Sequence, residues 1–226
     1  MSTERIIERV RAALGVSNRT DNVRQRAVAE RFSHPPSYPR PAFARLDGNA
    51  RNTRMISCLE AHGTQVIDID NVGAVPQSVE ACLRQYTPRP HLTMADDPQL
   101  SSLAWPVSLK PELWHGEPLG DGHAALTHAY AGVAETGTLV LSSGPESPPL
   151  LAFLPELHIV ALSRDTIVSS FEDAFTLLSA HTAPGRFPRA INLVSGASRT
   201  GDIGGRIVKG AHGPRRLAVI IYGPPT

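Results

Sequence analysis

The chain has 226 residues, 41% of them hydrophobic, and a formal net charge of +1; that is enough for one sizeable core. No apolar run approaches the roughly 18 residues of a membrane span, and the charge-broken start from Met1 to Val10 lacks a signal-peptide stretch, so a cytoplasmic protein is expected. Cys58 and Cys82 are the only cysteines, which argues against a disulfide framework, and an iron–sulfur cluster needs about four thiolates, so none is expected in this chain alone.

Charge is unevenly spread. Residues 1–54 carry 11 Arg against five acidic residues, a balance of +6, and residues 55–226 balance at −5. At the front, Ile6, Ile7, Val10, Ala13 and Leu14 share one helical face, with Ser2 or Thr3 to cap it and Gly15 to end it. Residues 16–42 show little periodicity and end in Pro35, Pro36, Pro39 and Pro41, which predicts an extended or mobile linker without regular helix. The expected organisation is therefore an N-terminal helix with a Pro-rich basic linker over 1–42 and an α/β domain over 43–226. Nucleic acid is a poor partner for the basic arm, because aromatic interleaving and a recognition helix are missing.

From Phe43 onward helical and extended patterns alternate. A helix is predicted over Ala50–His62, a strand over Thr64–Ile69, a helix opened by Pro76 with Val79, Cys82, Leu83 and Tyr86 on one stripe, and a weak strand at Leu92–Ala95. Ala124–Tyr130 and Thr138–Ser142 read as two strands joined by a tight loop, followed by a strand at His158–Leu162. Ser169 and Glu172 form a capping box for a helix with Phe171, Ala174, Phe175 and Leu178 on one face. Ala190–Val194 and Leu217–Tyr222 read as buried strands. The fold class implied is α/β, a mostly parallel sheet flanked by helices, in which ligand sites lie outside the carboxyl ends of strands.

Three segments carry candidate chemistry. The first follows the Ile191–Val194 run: Ser195, Gly196, Ser198, Arg199, Thr200 and Asp202, where glycines permit close backbone approach and the hydroxyls with Arg199 offer donors to a carboxylate or phosphate. It has the spacing of a phosphate loop, but Asp202 and Ile203 stand where Lys and Ser/Thr belong, which argues against a nucleotide triphosphatase. It half-matches a nucleophile elbow, with Thr200 in place of the final glycine. The second is Glu135, Thr136, Gly137 and Thr138. A buried Glu135 would titrate high and could act as base or nucleophile, or it could be a structural carboxylate paired with Arg199. The third is His212, flanked by Gly210 and Gly213, either a catalytic imidazole or a hydrogen-bonded loop residue. His123 and His128, five apart on one strand, face opposite ways, and no metal site is assigned.

Ala134–Thr138 running into Leu139-Val140-Leu141, then Leu154-Pro155 before His158-Ile159-Val160, then Ser195–Ile203, then Gly210–Pro214, resemble in this order the lactate-utilisation protein C family (LUD domain), over about Phe43 to Tyr222. Ala197 and Ala211 depart from the proline and bulkier aliphatic residue expected there. The resemblance implies an α/β fold akin to the ribose-phosphate isomerase and CoA-transferase-like superfamily. It also implies association with two iron–sulfur proteins that oxidise L-lactate to pyruvate. The function expected is a non-redox subunit of that assembly, binding an anionic ligand in a loop cleft through Thr136, Gly137, Thr138, Ser195, Gly196, Ser198, Arg199, Thr200, Asp202 and Gly213. The alternative is a stand-alone isomerase or CoA-transferase-type enzyme acting on a phosphorylated or carboxylate substrate, with Glu135 and His212 catalytic.

Overall fold

The structure, a computed structural model, describes residues 3–15, 18–34, 39–86, 91–119, 122–181, 187–203 and 206–224. Met1–Arg40 and Pro41–Thr226 are two compact units. The first contains helices α1 (Thr3–Ala13) and α2 (Asn18–Ser33). The apolar face of α1, with Ile6, Ile7 and Val10, is exposed. Helix α2 overturns the expectation that residues 16–42 hold no regular helix. It contains neither Gly nor Pro, and its Arg, Gln, Ala and Glu content favours helix by propensity; none of its described side chains is buried, so periodicity could not show it. The linker prolines Pro35 and Pro36 lie outside the described residues.

The second unit contains α3 (Gly48–Ala61), β1 (Gln65–Ile69), α4 (Val75–Arg84), β2 (His91–Met94), α5 (Pro98–Ser101), β3 (Glu112–Leu113), β4 (His123–His128), β5 (Ala131–Val133), β6 (Thr138–Ser142), β7 (Leu157–Ser163), β8 (Ile167–Val168), α6 (Phe171–His181), β9 (Ile191–Val194), β10 (Arg199–Ile203), β11 (Arg206–Lys209) and β12 (Arg216–Tyr222). A six-stranded sheet in the order β1-β12-β7-β4-β2-β3 is parallel at every described pairing. The near-continuous apolar runs of β7 and β12 suit interior strands covered on both faces. Successive side chains alternate between those faces: Ile159, Ala161, Ala218 and Ile220 pack with Val75, Val79, Cys82 and Leu83 of α4, while Val160, Leu162, Val219 and Ile221 pack with Met55 and Leu59 of α3 and Leu139 and Leu141 of β6.

A second sheet, β8-β5-β6-β9, corrects the expected pairing of the two strands before Gly144. The partner of β6 across a hairpin is Ala131–Val133, antiparallel, whereas His123–His128 belongs to the parallel sheet. The run read as one strand through Tyr130 thus leaves one sheet at His128 and enters the other at Ala131. Strand β9 is an edge strand, with Leu193 exposed, so it is less buried than its apolar run predicts. Helix α6 is capped one residue later than expected. The Ser170 amide donates to Asp173 Oδ2 at 3.2 Å and the Asp173 amide to Ser170 Oγ at 3.3 Å, while the Ser169 hydroxyl donates to the Leu46 carbonyl. Ala174 and Leu178 of its predicted stripe are buried, but Phe175 is exposed.

His158, the second residue of β7, is 0% exposed, its Nε2 2.8 Å from Thr127 Oγ1. Burial pushes the imidazole down from 6.5 to about 4, so the fold favours the neutral ring. The unfolded chain takes up a proton below about pH 6.5 and the folded chain only near 4, so stability is full above that window and falls as pH drops through it. The loss expected is about 3 kcal/mol. Urea midpoints at about pH 7 and pH 4.5 measure it, and the paired change Thr127→Val with His158→Leu should flatten the dependence; an unaltered slope in that variant would contradict the assignment.

Candidate functional site

The turn at residues 134–138 lies against α3. Gly137 has φ +64, and a Cβ there would lie 2.6 Å from Cys58 Cβ and 2.9 Å from the Leu59 amide nitrogen, so only glycine lets the β5–β6 hairpin close onto this helix. The same approach presents Thr138 Oγ1 at 2.6 Å from both Thr136 Oγ1 and Ser195 Oγ. Beyond Ser195 the chain stays on the end of α3. A Cβ on Gly196 would stand 3.2 Å from His62 Cβ, and Arg199 Nη2 donates to the His62 carbonyl at 3.0 Å.

Ser198 ties this segment to the third loop: its amide donates to the Pro214 carbonyl at 2.9 Å, and its carbonyl accepts from the Gly210 amide at 3.0 Å. Gly213 packs on Ser198, whose Cβ would lie 3.2 Å from an added Cβ. Residues 195–203 are not the continuous loop expected. Arg199–Ile203 forms β10, paired antiparallel with β11, with Thr200 opposite Val208 and a register shift before Ile203; alternating polar and charged residues hid this strand from a hydrophobic pattern. The side chain of Asp202 lies outside the described residues.

Three segments distant in sequence are thus contiguous, but the carboxylate and the imidazole expected between them take other positions. Glu135 Oε1 accepts from the Phe171 amide at 3.2 Å, where α6 begins, and its carbonyl accepts from Arg54 Nη2 at 3.2 Å. Among the described residues no ion pair joins it to Arg199, which corrects the structural pairing considered above. His212 is exposed. What does gather is positive charge. A cavity of about 160 Å³ is lined by Arg199, Lys209, Arg215 and Arg216 with Gly63, Gln65, Tyr86, Ala197 and Leu217, and no acidic residue is among these. Neither Glu135 nor His212 lines it.

Two glycines make room for those cations: a Cβ on Gly63 would lie 2.7 Å from Arg199 Nη2, and one on Gly210 would lie 2.1 Å from Arg215 Cγ. Arg216 is held over the Tyr86 ring, its guanidinium carbon 4.6 Å from the centroid, a cation–π contact. The Tyr86 hydroxyl in turn donates to Gln65 Oε1 at 2.7 Å. Burial is the largest cause that raises the Tyr86 pKa, with the Cys82 thiol adding to it and Arg216 opposing. Lys209, Arg215 and Arg216 contribute what the sequence reading missed. They lie just outside the motif segments, and only the antiparallel return of β11 and the start of β12 bring them beside Arg199.

A larger cavity, about 460 Å³, lies at the opposite, carboxyl end of the parallel strands, between the ends of β4, β6, β7 and β12. Asp97 and the strand-end residues His128, Ser163 and Tyr222 line it. His128 Nδ1 is 3.1 Å from Asp97 Oδ2 and Nε2 is 2.8 Å from the Tyr222 hydroxyl. Sequence reading separated His123 from His128 by face, but could not see that Asp97 and Tyr222 flank the latter.

Residues 56–222 match the LUD domain family. Over 115 residues the chain is 35% identical to the lactate utilization protein C of Deinococcus radiodurans, a stretch covering 50% of this chain and 52% of that protein. With the lactate utilization protein C of Halalkalibacterium halodurans it shares 26% identity over 96% of both chains. The chain thus spans about half the length of the relatives it matches at higher identity, and nearly all of others at lower identity. A crystal structure of a duf162 family protein from Deinococcus radiodurans superposes with a TM-score of 0.55 at 19% identity, covering 79% of this chain and 99% of that one, and shares the fold. With the family match running from α3 to the end of β12, the chain belongs to the LUD domain family.

Proposed function

We propose that this protein serves lactate utilisation as a non-redox subunit of a cytoplasmic L-lactate-oxidising assembly, holding a small anionic ligand beside iron–sulfur subunits that carry the electrons. The name of its relatives, lactate utilization protein C, supports the process. The observation that carries the ligand class is the acid-free lining of the cavity that collects Arg199, Lys209, Arg215 and Arg216. Four cations on one small concavity favour a carboxylate or phosphate, and planar guanidiniums bind such groups through paired hydrogen bonds. The Thr136, Thr138 and Ser195 hydroxyls join the hairpin to the loop that carries Arg199. In this reading Glu135 is a capping carboxylate for α6 and His212 performs no bond-making step.

The division of labour follows from chain chemistry. Two cysteines, one buried in α4 and one half-buried in α3, leave the redox centre to partner subunits. A tagged full-length chain, expressed near its native level and recovered from its host, should bring down proteins that carry iron and acid-labile sulfide. Their clean absence, with the chain itself recovered folded, would overturn the assembly reading.

A further inference from the structure

The carboxyl-end cavity differs in charge from the cleft at the other end of the sheet. Asp97 and Glu146 are the carboxylates lining it, His128 is its imidazole, and neither Lys nor Arg lines it. An anion drawn to the arginine cleft is therefore disfavoured here. Its other polar walls are neutral: the Tyr222 hydroxyl, Gln99, and the hydroxyls of Ser142, Ser147 and Ser163. The volume, about 460 Å³, falls in the range of small-molecule sites, and the position outside the carboxyl ends of parallel strands is where α/β sheets bind ligands.

With the His128 ring neutral, the hydrogen-bond chain takes one direction. A carboxylate only accepts, so His128 Nδ1 carries the proton donated to Asp97 Oδ2, and in the neutral ring Nε2 is then the acceptor. The Tyr222 hydroxyl accordingly donates to Nε2 at 2.8 Å, in preference to Gln99 Oε1 at 3.4 Å. That leaves the Tyr222 oxygen able to accept, one lone pair facing the Ser163 hydroxyl and the other open to a ligand. Burial raises the Asp97 pKa, but the hydrogen bond from His128, those from the Gln99 and Leu100 amides and the attraction of positive charge on the His128 ring outweigh it, and the carboxyl stays below its ordinary value. The Tyr222 phenol is raised, by burial first and by the Asp97 and Asp165 charges, against the lowering hydrogen bond with Ser163. An ionised Asp97 and a protonated Tyr222 keep the chain oriented.

We propose that this cavity is a second binding site, for a neutral polyhydroxylated small molecule. One ligand hydroxyl donates to the Tyr222 oxygen, whose own proton is committed to His128, and further hydroxyls exchange hydrogen bonds with Ser142, Ser147 and Glu146. Asp97 and His128 are positioning residues: they hold the Tyr222 proton away from the cavity so that its oxygen receives.

The test uses the full chain and two probes, D-ribose and adenosine, at millimolar concentration. Nitrogen-15 resonances of the His128 imidazole, assigned with His128→Gln, report the site. The result expected is that at least one probe moves these resonances and pyruvate does not, and that Tyr222→Phe weakens the binding about tenfold. Unchanged pyruvate affinity shows that this variant is folded and that the arginine cleft is independent. His128→Gln, which removes the ring from the chain, should cost similar probe affinity by a heat-detected titration. Resonances unmoved by both probes, or undiminished probe affinity in Tyr222→Phe, would overturn the proposal whatever the fate of the anion reading.

Discussion

Replacing Arg199 and Arg216 together by Gln is expected to weaken pyruvate binding about 100-fold, with each change contributing about tenfold, or about 1.4 kcal/mol. That value is at the low end for charge-assisted hydrogen bonds, because both side chains are exposed and salt screens them. The two arginines hold the cavity from different elements: Arg199 from the start of β10, tethered to the end of α3 through the His62 carbonyl, and Arg216 from the start of β12, seated on Tyr86. Lys209 and Arg215 stay on the lining, so the variant keeps part of the positive charge but loses both of these guanidiniums. Replacing His212, exposed and outside the lining, by Ala should leave affinity unchanged. Isothermal titration measures both; equal losses in the two variants would show that the cavity does not select the anion.

The largest effect on stability is expected at Gly137. Gly137→Ala should destabilise the fold by about 3 kcal/mol, combining a left-handed backbone with overpacking against a helix that cannot recede. The added Cβ would meet the backbone of Cys58 and Leu59 at 2.9 Å, and Leu59 is fully buried. Relief by movement of the hairpin would separate Thr138 from Ser195. Gly201→Ala is the control: a Cβ there meets nothing within 4 Å and should change stability little. Urea unfolding of the three proteins tests the contrast, and equal midpoints would contradict it.

Much of this architecture is legible in the chain, because burial on both faces writes a strong signal. The apolar runs of β7 and β12 and the stripe Val79, Cys82 and Leu83 of α4 are where periodicity puts them, within a residue or two. Signals fail where another force decides. Helix α2 forms on propensity with none of its described side chains buried, and the change of sheet between His128 and Ala131 falls at the end of a run that pattern reads as one strand. The capping box moves from Ser169 to Ser170 because Ser169 is drawn to the Leu46 carbonyl, 123 residues away in sequence.

The site divides in the same way. Glycine, hydroxyl and arginine content marks the segments around Gly137, Ser198 and Gly213, and these do meet, since α3 and the Ser198 backbone bonds join them. Which charge accompanies them depends on strand order. Arg216 sits beside Arg199 because β12 lies next to β1, and Asp97 reaches His128 because β2 lies next to β4. Neither adjacency is encoded in local pattern.

The claim on which this account rests is that the arginine-lined cavity is a specific anion site, and the same titration on the unaltered protein tests it most directly. Pyruvate or L-lactate should bind saturably, with affinity that falls as salt is raised and a signal that disappears in the double arginine variant. No saturable heat at millimolar ligand, or binding indifferent to both salt and the arginines, would contradict it.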